Sequence, residues 1–278
     1  MQMTSGVAIA LVLVGISSLT LITACGEEAS TTAAPVSATS STAELSDAEI
    51  TVRFRKIWFQ DAIEHGVMIN KYLGILTWQN PFDVWITQEI MFEVKPDVIV
   101  ETGTFRGGSA ALWATFLTQI NPQGRVITID IEDKRDEAAK NLPIVKRMVT
   151  FLLGSSSGPE VVEQVRKALV GKRALFILDS AHTREHVLSE LRAYGDMVPV
   201  GSYIIVQDTI GTGAYAGIQE FLQETDAFEH DQSRERLMIS NNTGREIETR
   251  HPSWTTRRID RSHTNPRSTA CVPSPCCR

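Results

Sequence analysis

The chain has 278 residues, 42% hydrophobic and 22% charged, so it can bury one sizeable core and is not disordered as a whole. A formal net charge of −6 provides no basic surplus to neutralise phosphates, which argues against a nucleic-acid partner. The four cysteines, Cys25, Cys271, Cys276 and Cys277, leave the stretch between them empty of thiols, excluding a disulfide framework, a cysteine nucleophile and a cysteine zinc site there.

Gly6 to Ala24 is an apolar run, and Ile22-Thr23-Ala24-Cys25 resembles a bacterial lipobox, in which the cysteine becomes the lipidated first residue. With Ser17, Ser18 and Thr20 counted, the run is short for a spanning helix, so residues 1–25 are expected to be a secretory signal. Met1 to Ser5 carries no Lys or Arg, which leaves an uncleaved anchor or a misassigned start as alternatives. Residues 26–48 are rich in Ser, Thr and Ala and are expected to be a disordered tether. This places the protein on the cell envelope by a lipid anchor at Cys25, or in the cytoplasm if the motif is fortuitous.

Residues 49–242 are expected to form the main domain. From Ile50 to Glu93 the pattern is helical and aromatic, and Phe54, Trp58, Phe59, Trp78, Phe82 and Trp85 either cap a core or line a pocket. After Lys95-Pro96, apolar bursts alternate with amphipathic stretches. The bursts are Val98 to Val100, Val126 to Ile131, Met148 to Leu153, Ala174 to Leu178 and Tyr203 to Val206. Helices are expected at Ala110 to Ile120, Lys134 to Leu142, Glu160 to Val170, Arg184 to Tyr194 and Tyr215 to Glu224. Five strand-then-helix units imply an α/β, Rossmann-like fold: a mostly parallel sheet with helices on both faces.

In such sheets ligands bind at the carboxyl ends of the strands. The first end reads Glu101-Thr-Gly103-Thr104-Phe-Arg-Gly107-Gly108, which does not match GxGxxG. Its glycines permit a tight turn and a close approach of ligand or helix. Glu101 would repel a pyrophosphate and favour a cationic ligand, and S-adenosylmethionine, with its sulfonium and ammonium, suits it. Asp130, ending the second strand, can accept both hydroxyls of a ribose, or else cap a helix. Gly154, Ser155 and Ser156 follow the third strand, and Ser155 and Ser156 join Thr104, Gly107 and Gly108 in the expected cofactor site.

Asp179 and the pair Gln207-Asp208 end the next two strands. Carboxylates held together need a cation or a shared proton, and Mg²⁺ would satisfy them while leaving positions for a substrate hydroxyl; helix capping is the other reading. His182, three residues past Asp179, can take a proton from that hydroxyl. His182-Thr-Arg-Glu185-His186 also matches the reversed zinc-protease pattern H-x-x-E-H, but it lies in an α/β series without a further ligand, and His186 is expected on a helix surface or in packing.

Together, Gln88-Glu89, Lys95-Pro96-Asp97, VIVETGTFRGGSA, VITIDI, LLGSSS, ILDSAHTREHVLSELRAYGDMV and VGSYIIVQDT resemble the cephalosporin hydroxylase and rhamnosyl O-methyltransferase family, a branch of the class I S-adenosylmethionine-dependent methyltransferases. The resemblance covers roughly Trp78 to Phe228. It implies a seven-strand sheet in which Glu101, Gly103 and Asp130 contact the cofactor, and Asp179 and Asp208 bind a divalent metal with His182 nearby. Family members commonly carry an acidic residue where Gln207 stands; the glutamine removes a charge but still offers one carbonyl oxygen, and Gln207 is expected as a third metal ligand with Asp179 and Asp208.

At the carboxyl end, Arg234 to Ser240 fits a sixth strand and Asn241-Asn242-Thr243-Gly244 a hairpin turn. Residues 243–278, rich in Arg, Ser, Thr and Pro, show no apolar run able to return between the fifth and sixth strands, and an irregular tail is expected. The function expected is a Mg²⁺-assisted O-methyltransferase that uses S-adenosylmethionine on a hydroxyl of a sugar, glycolipid or secondary metabolite. Alternatives are a catalytically degenerate, lipid-anchored binding protein on the same fold, or a hydroxylase as the family name suggests. The expected partners are that small molecule, no nucleic acid, the membrane only through Cys25, and a second copy of the chain left open.

Overall fold

The computed structural model describes residues 45–46, 49–50, 53–54, 70–209, 212–235 and 254–260. The lipobox-like segment ending at Cys25, the tether as far as residue 44, Trp58, Phe59 and the turn Asn241–Gly244 lie outside the described residues. Among the described residues no helix is long and apolar enough to cross a membrane.

A short hairpin comes first, β1 (Lys71–Tyr72) against β2 (Ile75–Leu76). This corrects the helical expectation for that part of residues 50–93. Leu73 and Gly74 both hold positive φ, 50° and 83°, the pair of left-handed residues that a two-residue hairpin turn demands. Helix α1 (Pro81–Val94) follows, with Asn80 accepting the Phe82 N–H at 3.0 Å and Pro81 opening the first turn. It stops at Lys95, left-handed at φ 49°, just ahead of Pro96.

Then come β3 (Val98–Thr102), α2 (Gly108–Ile120), β4 (Arg125–Asp130), α3 (Glu137–Asn141), α4 (Pro143–Met148), β5 (Val149–Leu153), α5 (Pro159–Ala168), β6 (Ala174–Leu178), α6 (Arg184–Tyr194), β7 (Tyr203–Val206), α7 (Ala214–Glu224), β8 (Phe228–His230) and β9 (Trp254–Arg258). Seven strands form one sheet in the order β5-β4-β3-β6-β7-β9-β8. Strands β3 to β7 pair in parallel, and β9 is antiparallel to both neighbours. Alternation along the strands separates two cores. Val98, Val100, Phe176 and Leu178 pack under α5, α6 and α7, whereas Ile99, Leu175 and Ile177 pack under α1 and α2.

At the carboxyl end a strand stands at Phe228–His230, and Arg234, where the expected sixth strand begins, falls in the 3-10 turn after it, while residues 236–240 lie outside the described residues. The expectation that no strand returns is corrected. The place between β7 and β8 is filled by Trp254–Arg258, despite its polar sequence. Thr255 and Thr256 are buried there because their hydroxyls return hydrogen bonds to the backbone, Thr256 Oγ1 to the Ile204 carbonyl at 3.3 Å and Thr255 Oγ1 to the Asp231 carbonyl at 3.2 Å. Arg258 donates to the carbonyls of Asp196, at 3.0 Å, and Val198. A strand can therefore be interior without being apolar when every buried donor has an acceptor.

Candidate functional site

Strand order reverses where β3 lies between β4 and β6, so a crevice opens at the carboxyl ends of these strands. A cavity of about 530 Å³ lies there, a size typical of small-molecule sites. Its walls come from residues following β3, β4, β5, β6 and β7, and from residues 76–79 ahead of α1.

Gly103 holds φ 86°, and a Cβ on it would stand 1.8 Å from the Asp179 carbonyl oxygen. The glycine is thus demanded by the approach of β6 as well as by the turn. A Cβ on Gly108 would meet Thr77 Oγ1 at 1.9 Å, so this glycine lets residues 76–77 close over the start of α2. Gly107, at φ 84°, is the N-cap of α2 and does not line the cavity.

On one side, Asp130 Oδ2 accepts the Phe105 N–H at 2.9 Å and Oδ1 accepts the Glu132 N–H at 3.3 Å, which fixes the carboxylate and leaves lone pairs for incoming hydroxyls. Ile131, Gly154 and Ser156 line the cavity with it, and Ser155 does not. Thr104 lines it too, its Oγ1 2.7 Å from Thr128 Oγ1. Glu101 is fully buried and is not among the lining residues. Its carboxylate accepts from Trp113 Nε1 at 2.8 Å and from Thr128 Oγ1 at 2.6 Å. Desolvation pushes its pKa up to about 7 in spite of these donors.

On the other side, Asp179, His182 and Asp208 each offer one ligand atom, all within 4.8 Å of one another. His182 Nε2 lies 3.3 Å from Asp208 Oδ2 and 3.9 Å from Asp179 Oδ1. Gln79 Nε2 donates to Asp179 Oδ2 at 2.8 Å. Burial first, then the charges of Asp208 and Glu101, hold the Asp179 carboxyl well above the ordinary carboxylate range. Phe105 and Asp208 keep left-handed backbone at φ 46° and 50°, a strain of about 1–3 kcal/mol each that the surrounding fold must impose and that clusters at functional sites. Gln207 is buried at the end of β7 and is not a lining residue, whereas its neighbour Asp208 is.

His186, expected on a helix surface or in packing, stands in the first turn of α6 and also lines the cavity. Its Nε2 lies 3.1 Å from Ser156 Oγ and 3.3 Å from the buried Glu190 carboxylate, and the Glu190 contact raises its pKa. The two imidazoles of the H-x-x-E-H match thus face different groups, and Glu185 is exposed beside Arg184, so no zinc-protease site assembles among the described residues. Sequence reasoning missed Thr77, Gln79 and Ser180 and undervalued Trp78. The available signal was a Trp set among the polar residues Thr77, Gln79 and Asn80, just ahead of a proline-started helix.

Residues 66–245 match the family described as Rhamnosyl O-methyltransferase/CmcI. The rhamnosyl O-methyltransferase of Mycobacterium tuberculosis is 33% identical over 178 residues, covering 59% of this chain and 71% of that protein. Its counterpart from Mycobacterium leprae is 29% identical over 178 residues, covering 59% and 76%. Among solved structures, cmcI with Mg-SAM superposes with a TM-score of 0.53 at 21% identity, covering 69% of this chain and 77% of that one, which supports the fold. The family match extends over the whole cavity wall, from residues 76–79 to Asp208, and the chain belongs to the rhamnosyl O-methyltransferase/CmcI family of O-methyltransferases.

Proposed function

We propose that this protein moves the methyl group of S-adenosylmethionine to a hydroxyl of a sugar-bearing small molecule, with a divalent cation at Asp179 and Asp208. The observation that carries the reading is the convergence of Asp179, His182 and Asp208 in the same cavity whose other wall is Asp130. The donor set fits a cation. Two carboxylates meet at one point, and positive charge beside the partly buried Asp179 carboxyl, whose pKa desolvation and Asp208 raise, would favour its ionised form. Oxygen donors suit Mg²⁺. The opposite wall fits the nucleoside, since Asp130 is a fixed acceptor for ribose hydroxyls with Ile131 and Ser156 beside it.

When bound, S-adenosylmethionine supplies the methyl group, and Mg²⁺ would lower the pKa of the hydroxyl it holds. The chain's residues do the rest. Asp179 and Asp208 hold the ion, and Gln79 orients Asp179. His182 accepts the hydroxyl proton at Nε2, where Asp208 at 3.3 Å steadies the imidazolium. Positioning by the two walls removes much of the entropic cost of bringing oxygen and methyl carbon into line.

The test is transfer of a labelled methyl group from S-adenosylmethionine to methyl α-L-rhamnopyranoside with Mg²⁺ present. EDTA should abolish it, and His182→Ala should lower it by about 100-fold or more. Transfer that is indifferent to EDTA and to Asp208→Asn would sink the metal, and a folded protein that labels no hydroxyl acceptor would sink the whole reading.

A further inference from the structure

Trp78 is 68% exposed although it lines the cavity. An exposed indole on a cavity wall is a large, flat apolar surface that a ligand entering the cavity can cover. The backbone around it is firmly held. Thr77 N–H donates to the Asn70 carbonyl at 2.7 Å, Asn70 Nδ2 donates to the Gln79 carbonyl at 3.0 Å, and Thr77 and Gln79 are buried on either side of the exposed Trp78. The ring is braced as well. It packs on Phe105, with centroids 5.3 Å apart and planes 31° from parallel. Phe105 is itself fixed, by its N–H to Asp130 Oδ2 and by the Arg106 guanidinium 5.4 Å from its centroid.

Two exposed apolar residues therefore belong to the mouth, and their chain neighbours separate them. Ile131, 76% exposed, follows Asp130 on the nucleoside side. Trp78 precedes Gln79, whose amide reaches Asp179 on the metal side, while its own ring packs on Phe105, whose N–H reaches Asp130, so the indole is tied to both sides of the cavity. We propose that Trp78 is the platform on which the acceptor ring stacks, the apolar C–H face of a pyranose against the indole, so that a ring hydroxyl is presented to the Asp179–Asp208 side. A braced tryptophan suits this role, because a flat apolar surface that loses little freedom on binding reads the face of a sugar and leaves its edge hydroxyls for polar groups. The inference rests on the functional reading above and adds the residue that selects the acceptor.

The test uses the full chain with saturating S-adenosylhomocysteine and Mg²⁺, and methyl α-L-rhamnopyranoside as probe. In saturation-transfer NMR, irradiating the protein's aromatic protons should saturate the sugar's ring C–H protons in the wild type, and this transfer should vanish in Trp78→Ala. In turnover, Trp78→Ala should lower kcat/KM for the rhamnoside by about 10-fold or more, and Trp78→Phe should retain it within about threefold. The Kd for S-adenosylhomocysteine and the thermal midpoint should stay at wild-type values in both variants. Unchanged saturation transfer and kcat/KM in Trp78→Ala would overturn the proposal. So would a loss of S-adenosylhomocysteine affinity in step with the rhamnoside, which would give the indole to the donor. Failure of the functional reading is distinguishable, because there the wild type itself neither methylates nor contacts the rhamnoside, and the platform falls with it.

Discussion

Gln79 and Asp179, 100 positions apart, are joined by a 2.8 Å hydrogen bond from the amide Nε2 to Oδ2, so the segment just ahead of α1 helps to orient the end of β6. Groups that orient a metal ligand typically govern metal affinity or activity by about 10- to 100-fold. Gln79→Ala should weaken Mg²⁺ binding within that range while thermal stability without metal changes little. Titration calorimetry with Mg²⁺ checks this, and unaltered affinity would show that Asp179 needs no orienting partner.

Asp179 is the more drastic change. Its raised pKa means that the folded state resists ionisation, so the native protein binds a proton that the unfolded chain releases, and stability falls as pH rises above the ordinary aspartate range. Asp179→Asn should therefore be at least as stable as wild type at pH 8 in EDTA. Mg²⁺ should raise the thermal midpoint of the wild type by binding the folded state, and Asp179→Asn should lose that rise. A variant that Mg²⁺ still stabilises fully would remove Asp179 from the donor set.

Glu101 gives a pH signature of the same sign in a defined window. Its pKa rises from 4.5 to about 7 through burial, so the stability it withholds is absent below about pH 4.5 and accumulates up to about pH 7. At full ionisation the difference is about 3 kcal/mol. Glu101→Gln keeps an acceptor for Trp113 and removes the titration. Urea unfolding at pH 5 and pH 8 should show the wild type losing more stability between the two than the variant does, by a difference of this order. Equal losses would mean that the carboxyl is solvated or otherwise compensated.

Much of this site was legible because strands buried on both faces announce themselves as apolar bursts, and the residue that breaks each burst marks a carboxyl end. Asp130, Asp179 and Asp208 were found in that way, and all three line the cavity. Burial was not legible. Glu101 reads as the most pointed carboxylate of its loop, yet it ends inside the sheet bonded to Trp113 and Thr128. Nor can sequence periodicity reveal a contact such as Gln79 with Asp179, which depends on two distant segments meeting. Strand β9 was hidden for a third reason: Thr255 and Thr256 satisfy their hydroxyls against neighbouring backbone, so apolar patterning was never required.

Gly103 is a sharper structural test than any carboxylate. Its φ of 86°, and the mere 1.8 Å that would separate an alanine Cβ from the Asp179 carbonyl oxygen, leave no room for a side chain. Left-handed strain alone costs about 1–3 kcal/mol, and displacing β6 adds to it. Gly103→Ala should lower the urea midpoint by an amount equivalent to about 3 kcal/mol or more, or abolish soluble expression. Gly171→Ala, also at positive φ but with open space around it, should cost only the strain.

The cavity between Asp130 and Asp179 should receive S-adenosylmethionine. Isothermal titration of the folded protein with S-adenosylmethionine tests it most directly, alongside Asp130→Ala with its fold verified by circular dichroism. Saturable one-site binding is expected in the wild type, weakened by about 10-fold or more in the variant, which loses the carboxylate proposed to accept the ribose hydroxyls. A folded wild-type protein that gives no binding heat and does not protect against thermal unfolding, or an Asp130→Ala variant that binds as tightly as wild type, would contradict the account.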